Sequence, residues 1–342
     1  MGRQYRVAVL PGEGIGPEVV DAALKILYLL ADLEGFEIQG DYGLIGLPAQ
    51  EKLGSFFPET TAQLCQGSDG IVFGAVSRGG LLELRQHFDF FMNLRPVRSH
   101  PHLFHKSPLK PELLQDVDIL FVRELASGLY FGPAGRATDG SYGYHTMRYN
   151  DSEIRRIAKV ALQKAQERRG HLTVAHKENA LPQIPWCRLV QEMAQDFPDI
   201  TVEPVLVDNL AMQLVMHPQD FDVILAGNLF GDILSDLGGA IAGSIGLLGS
   251  ASFNERGLGL YEPVHGTAPD IAGKGIGNPL GMISSLTMML QHWGEHAAAS
   301  RLAQVQNQIL EQGYRTADLY TKNPQEKKVS TQDLTSLFCK RL

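Results

Sequence analysis

The sequence predicts an α/β protein with a mainly parallel sheet. Three observations carry that prediction: an opening of strand, glycine turn and helix, later apolar runs alternating with helical stretches, and a globular composition. Residues 6–10 (RVAVL) read as the first strand, and Pro17 stands at the start of a helix over 17–32 whose apolar positions recur at helical spacing. Further strands are expected at 70–73, 119–122, 172–175, 201–207 and 223–225, mostly separated by helical stretches such as 151–169. One segment breaks the alternation. Residues 129–149 read as two aromatic-rich strands around Asp139-Gly140, a hairpin signal with no helix between. A hairpin of that length needs cover, and a second subunit is the simplest one, so it reads as a dimerisation arm in preference to a surface loop.

The chain has 342 residues, 44% hydrophobic and 20% charged, enough for two domain-sized cores. Its formal net charge of −8 argues against a general polyanion binder, so nucleic acid is not expected as a partner. No apolar run approaches the roughly 20 residues of a membrane span, and MGRQYRVAVLPGEG passes from a short polar start into a strand. Neither a membrane partner nor a signal or transit peptide is expected. Cys65, Cys187 and Cys339 lie far apart without metal-ligand spacing, which suits free thiols in a reducing cytoplasm.

The strongest local signal is Asn228-Leu-Phe-Gly-Asp232-Ile-Leu-Ser-Asp236. It places two carboxylates at i, i+4 on one helical face directly after a buried strand, where they repel unless a cation lies between them. Oxygen-only ligands suit Mg²⁺ or Mn²⁺, and a pair of solvated aspartates is the plainer alternative. A second signal is a set of arginines at element ends: Arg85 after Gly80-Leu-Leu-Glu-Leu, Arg95 in Asn-Leu-Arg-Pro, and Arg123 before Glu-Leu. Guanidinium forks bind carboxylates bidentately, so three of them make an anionic-substrate site as readable as three surface ion pairs. Lys177 and Asn179 follow another strand; free lysine titrates near ~10.4, so base catalysis there needs burial or a cationic neighbour. Tyr130, between glycines, reads either as a general acid or as hairpin packing. The runs Gly12-Glu-Gly14-Ile-Gly16-Pro17 and Gly273-Lys-Gly275-Ile-Gly277-Asn278 both miss the G-x-G-x-x-G pattern, so a Rossmann dinucleotide site is not predicted.

Taken together, LPGEGIGPEV at 10–19, LRPV at 94–97, RELASGLYFG at 123–132, NLFGDILSD at 228–236 and LYEPVHGTAPDIAGKGIGNP at 260–279 resemble the β-decarboxylating dehydrogenases, the family of isopropylmalate, isocitrate, homoisocitrate and tartrate dehydrogenases. The resemblance runs from Val7 to about Asp318. It implies an isopropylmalate dehydrogenase-like, non-Rossmann fold, with residues 1–96 and 244–342 as a discontinuous cofactor domain. Residues 97–243 then form the dimerisation and metal/substrate domain, with its arm near 129–149. The cofactor site implied is built around Ile15, Glu262 and the loop His265, Gly266, Thr267, Ala268, Asp270, Ile271 to Asn278. A carboxylate at Asp270 accepts hydrogen bonds from ribose hydroxyls and repels a 2′-phosphate, whereas NADP-using isocitrate relatives carry Lys-Tyr there, so NAD⁺ is expected. The resemblance assigns Arg85, Arg95 and Arg123 to the malate carboxylates and Asp232, Asp236 and Asp208 to the metal. Lys177 becomes the base and Tyr130 the acid that protonates the enolate. Lys177 and Asp208 would come from the other subunit of a homodimer with shared active sites.

The chain departs from the family pattern at several points. Glu13 stands where Asp is usual, Ala126-Ser127 replaces Thr-Gly of isopropylmalate enzymes, Glu178 replaces a small residue, and the segment 74–80 is short. Leu81 and Leu82, at i, i+4 and i, i+3 from Arg85, set an apolar wall beside the cationic one, and Ala180 stands where valine is usual. An apolar C3 substituent therefore fits, and the smaller Ala180 and the shortened loop before Leu81 leave space for a group bulkier than isopropyl, with 3-benzylmalate as the specific candidate. Homoisocitrate, with Arg78 reaching a third carboxylate, and tartrate or D-malate are the alternatives within the class. A catalytically silent regulatory subunit is the alternative outside it, although such chains lose the arginines or metal ligands retained here.

Overall fold

A computed structural model describes residues 3–342 of the chain. The chain opens with β1 (Arg3–Gly12), α1 (Gly16–Glu34), β2 (Phe36–Tyr42), α2 (Leu47–Leu53), α3 (Glu59–Gln66), β3 (Gly70–Ala75) and α4 (Leu81–His87). It continues through β4 (Met92–Arg98), β5 (Asp118–Glu124), the short pair β6 (Ala134–Arg136) and β7 (Gly143–His145), and α5 (Asp151–Gln166). Next come β8 (His171–His176), α6 (Trp186–Ala194), β9 (Thr201–Leu206), α7 (Val207–Met216), β10 (Val223–Ala226) and α8 (Asn228–Ala242). The last part holds β11 (Gly249–Phe253), β12 (Gly259–Pro263), α9 (Leu280–His292), α10 (His296–Glu311), β13 (Tyr314–Arg315), β14 (Lys327–Lys328) and α11 (Thr331–Arg341).

The chain divides into two compact units. The first holds the residues up to Phe88 together with His102–Ser107 and Ala242–Leu342. Its main strands lie in the order β2-β1-β3-β12-β11, parallel except for the β11–β12 pair. Helix α1 forms because Pro17 pre-sets the first turn and Gly35, at φ 74°, closes the last one in the left-handed region. It buries Val19, Val20, Ala23, Leu24, Leu27 and Leu30 on one face. Gly14 (φ +62°) is required where it stands, since a Cβ there would lie 2.0 Å from the carbonyl oxygen of Thr267.

The second unit holds Asp89–Pro101 and Pro108–Ile241, with strands in the order β4-β5-β10-β8-β9. β4 belongs here because it pairs with β5 along its whole length, Met92 facing Glu124 and Arg98 facing Asp118. That pairing is antiparallel; the others in this unit are parallel, and β10, flanked on both sides, is a continuous apolar run (Val-Ile-Leu-Ala), while the middle four residues of β8 are all buried. α5 starts where Glu153 reaches back to the Asn150 N–H at 2.7 Å, and it buries Ile154, Ile157, Ala158, Ala161 and Leu162.

The expected hairpin is present but smaller than predicted. Only three residues a side pair, Ala134 with His145 and Arg136 with Gly143, and all six are exposed. Turns occupy much of 129–149 because glycines interrupt the alternation. β2, β4, β11, β12 and the two-residue strands β13 and β14 were not foreseen, and β9 stops one residue short of its predicted end because α7 begins at Val207. Among the described residues no helix is long and apolar enough to cross a membrane.

Candidate active site

In the second unit, the ends of β4, β5 and β10 bring together groups that lie far apart in sequence. Asn93 faces Arg123 and Arg95 faces Phe121 across the β4–β5 pair, while β10 runs straight into α8. Arg123 is 1% exposed, and Gly231 makes room for it: a Cβ there would lie 2.7 Å from the arginine Cγ. Its Nε donates to the Asn228 backbone oxygen at 2.9 Å, its Nη2 to Asn228 Oδ1 at 2.8 Å, and its Nη1 to Asp232 Oδ1 at 2.5 Å. Arg95 Nη1 donates to Ser235 Oγ at 2.9 Å and to Asp236 Oδ1 at 3.0 Å. Tyr130 Oη donates to Asp232 Oδ2 at 3.1 Å.

Two arginines thus meet two aspartates. The repulsion expected between Asp232 and Asp236 is answered within the chain by the arginines that the sequence assigned to substrate. The aspartate side chains stay partly open, 33% and 50% exposed, while the arginines are deeply covered. Burial raises the Asp236 carboxyl above its ordinary range, with Arg95 opposing and Asp232 adding to the shift. Burial also raises the Tyr130 phenol, helped by the charge of Asp232 and the hydrogen bond to it, so the phenol stays protonated. Arg95 Nε is buried with no hydrogen-bond partner among the described residues. Asn228 and Ser235 were given no role from sequence, although both stand inside the NLFGDILSD motif and flank its aspartates in the helical repeat.

Lys177 and Asp208 form a separate pair. The parallel register sets His176 opposite Leu206, so the residues just beyond β8 and β9 come together and Lys177 Nζ bonds Asp208. Lys177 holds the Asp208 carboxyl below its ordinary range. Asn179 and Ala180 are exposed on the turn after Lys177, which closes with the Ala180 N–H on the Lys177 carbonyl at 3.0 Å. Among the described residues, neither Lys177 nor Asp208 bonds to Arg95, Arg123, Tyr130, Asp232 or Asp236.

In the first unit, Arg85 and Glu262 form a buried ion pair at 2.7 Å, and Arg85 Nε has no partner among the described residues. Leu82 on the same helix is 44% exposed, Leu81 is half-buried and Arg78 lies open at the surface. Glu13 bridges two segments: Oε1 accepts the Leu47 N–H at 2.8 Å and Oε2 accepts from Ser77 Oγ at 2.5 Å. The loop from His265 to Asn278 rests on the glycine turn, with the Ile15 N–H on the Thr267 carbonyl at 2.9 Å. Ala268 takes a positive φ of 40° there. Asp270 is exposed, Ile271 half-buried, and Asn278 buried against Asp318 at 3.0 Å. His265 Nδ1 faces the Gly266 carbonyl at 2.9 Å, so that nitrogen carries the proton. Burial lowers the histidine pKa and keeps the ring neutral, leaving Nε2 as a buried acceptor with no partner among the described residues.

Covered arginines with an open donor, half-open carboxylates and a protonated phenol have the chemistry an enzyme needs to take a small anionic substrate. Residues 6–337 match the isocitrate/isopropylmalate dehydrogenase family, and the chain belongs to it. It is 46% identical to 3-isopropylmalate dehydrogenase of Nitrosomonas europaea, over 96% of this chain and 97% of that protein. It is 45% identical to 3-isopropylmalate dehydrogenase of Methylococcus capsulatus, over 94% of each. Among solved structures, isocitrate dehydrogenase from Methylococcus capsulatus is 31% identical with a TM-score of 0.89, covering 98% of this chain and 99% of that one. A β-decarboxylating dehydrogenase from Thermococcus kodakarensis is 32% identical with a TM-score of 0.80, covering 98% and 96%. The chain is an oxidoreductase that oxidatively decarboxylates 3-substituted malates, using a nicotinamide dinucleotide and a divalent metal.

Proposed function

We propose that the chain is an NAD⁺-dependent 3-isopropylmalate dehydrogenase whose pocket also takes bulkier C3 groups, 3-benzylmalate foremost, and that it serves amino-acid biosynthesis, leucine first, in the cytoplasm. The observation that carries this reading is the balance of charge in the second unit. Two covered arginines and two half-open aspartates sum to zero, so a dianionic malate and a divalent cation enter together without leaving an unpaired buried charge.

Asp232 and Asp236 would hold the cation with Asp208 of a second subunit, and the donors are all carboxylate oxygens, which fits Mg²⁺ or Mn²⁺. When bound, the cation supplies Lewis-acid polarisation of the substrate's C2 oxygen, and NAD⁺ supplies the hydride acceptor. In the second unit Arg95 and Arg123 are assigned to the malate carboxylates, and the open Nε of Arg95 leaves a donor for an incoming oxygen; in the first unit Arg85, assigned to the same role, also keeps an open Nε. Lys177 takes the C2 hydroxyl proton, and Tyr130, protonated and held by Asp232, returns a proton to C3 after the carboxylate has left. Asn179 and Ala180 lie beside the base and bound the substrate.

Ile15, Glu262, His265, Gly266, Thr267, Ala268, Asp270, Ile271 and Asn278 would hold the dinucleotide. The unpartnered His265 Nε2 accepts from a donor such as the adenine amine, and a Cβ on Gly266 would meet nothing within 4 Å, so the loop leaves a face free there. Exposed Asp270 accepts from ribose hydroxyls and disfavours a 2′-phosphate. A homodimer with shared sites is supported by exposed apolar groups on the second unit: Met212, Val215 and Met216 on α7, Ile233 on α8, and Tyr142 and Tyr144 on the arm.

The test is NADH formation across 3-isopropylmalate, 3-benzylmalate, homoisocitrate, isocitrate, tartrate and D-malate, repeated with NADP⁺. Isopropyl- and benzylmalate should lead with NAD⁺, because Leu81 and Leu82 offer a third carboxylate no hydrogen-bond or ionic partner. Preference for homoisocitrate or for NADP⁺ would overturn the assignment.

A further inference from the structure

β8 ends at His176, the turn beyond it carries Lys177 and Glu178, and the chain returns to begin α6 at Trp186 with Cys187 in its first turn. A ring nitrogen of His176, a carboxylate oxygen of Glu178 and the sulfur of Cys187 all lie within 4.8 Å of one another, each residue half-buried. Among the described residues no other trio of histidine, cysteine and acidic groups is drawn together this way. Glu178 Oε1 accepts the Cys187 N–H at 2.7 Å, which holds the carboxylate against the thiol and leaves Oε2 uncommitted to that bond. The Glu178 N–H in turn approaches His176 Nδ1 at 3.4 Å.

The donor set differs in kind from that of Asp232 and Asp236. Nitrogen, sulfur and one oxygen suit a borderline-soft ion and not Mg²⁺. Bonds of about 2.0–2.3 Å in a tetrahedral site separate the ligands by about 3.3–3.8 Å. Closing the trio by about an ångström is within reach of side-chain rotation at Glu178 and Cys187. Burial, and the hydrogen bond to Glu178, push the Cys187 thiol up to about 12, so the ion must displace a thiol proton to solvent as it binds. The half-exposure of all three residues leaves a fourth position for water.

We propose that His176, Glu178 and Cys187 form a second cation site, for a thiophilic divalent ion of the Zn²⁺ class, and that its occupancy slows turnover by pinning the turn that carries Lys177. The site stands on the trio alone; its effect on turnover rests on the reading of Lys177 as the base.

The probe is Co²⁺, titrated into enzyme kept saturated with Mg²⁺ so that the oxygen site stays filled, and followed by thiolate-to-cobalt absorption in the near ultraviolet. The wild type should develop that absorption at one equivalent per chain and lose it on adding Zn²⁺. Cys187→Ser should abolish it and His176→Gln should weaken Co²⁺ binding, on the order of tenfold or more. Zn²⁺ inhibition at saturating Mg²⁺ should weaken by a similar factor in Cys187→Ser. Matched thermal unfolding of wild type and Cys187→Ser without added Zn²⁺ or Co²⁺ shows that the variant is folded. No absorption in the wild type, or absorption that survives in Cys187→Ser, overturns the site. Equal Zn²⁺ inhibition of both overturns the coupling to turnover. Lys177→Met tests the base by itself, and its failure to reduce turnover would sink that assignment without touching the absorption result.

Discussion

Arg85 and Glu262 stand 177 positions apart in the chain and form one buried ion pair at 2.7 Å, each side chain only 7% exposed. The pair joins the arginine assigned to a substrate carboxylate to a glutamate assigned to the cofactor. Deleting one partner leaves the other charge buried and unpaired, which costs about 3–5 kcal/mol. Glu262→Gln should therefore lower unfolding stability by an amount in that range. It should also raise KM for NAD⁺ and for the malate together, because a freed Arg85 no longer holds one orientation. Steady-state kinetics in both substrates and urea unfolding check this; a change in the NAD⁺ constant alone would show that the pair does not link the two functions.

The Lys177–Asp208 pair shares no bond with the Arg95, Arg123, Asp232 and Asp236 cluster among the described residues. If a second subunit supplies Lys177, two different inactive homodimers should complement each other. Mixing Lys177→Ala and Asp232→Ala under subunit exchange should recover about a quarter of wild-type activity, since half the dimers are hybrids and each hybrid keeps one intact site. Hybrids that form, by native mass measurement, and stay inactive would place Lys177 and Asp232 in one subunit's site.

Glu124, next to Arg123 and fully buried, is pushed by burial up to about 7 from an ordinary 4.5, although the Ala126 and Ser127 N–H groups oppose this by donating to it. The folded carboxyl holds its proton to higher pH than the unfolded one. The folded state therefore binds more protons between about 4.5 and 7, and stability falls as pH rises through that window, by about 3 kcal/mol from this group. Glu124→Gln should remove that part of the decline. Unfolding free energies at pH 5 and pH 8 for both proteins check it, and parallel slopes would show that Glu124 is ionised throughout.

Much of this architecture was legible because its signals are local. Pro17 and Gly35 bracket α1, the continuous apolar runs at β3 and β10 mark buried strands, and the i, i+4 spacing of Asp232 and Asp236 survives into the structure unchanged. What was missed depends on pairing. β4 carries Pro96 and two arginines, so nothing in its composition announces a strand; the β5 partner and the aspartates of α8 make it one. The direct contacts of Arg95 and Arg123 with the aspartates were hidden for the same reason, since they join residues more than 100 positions apart. The arm was over-read because aromatic content suggested strands, while glycines at 132, 135, 140 and 143 shorten them to three residues each.

The central claim, that one oxygen-ligated cation serves the oxidation and the loss of CO₂ together, is tested most directly by chelation and by Asp232→Asn. NADH and CO₂ released from 3-isopropylmalate are measured in the same sample. EDTA should abolish both products, Mg²⁺ or Mn²⁺ should restore them in a one-to-one ratio, and Asp232→Asn should depress both by the same factor, on the order of a hundredfold or more. Full NADH formation in chelator, or a variant that makes NADH without matching CO₂, would contradict it.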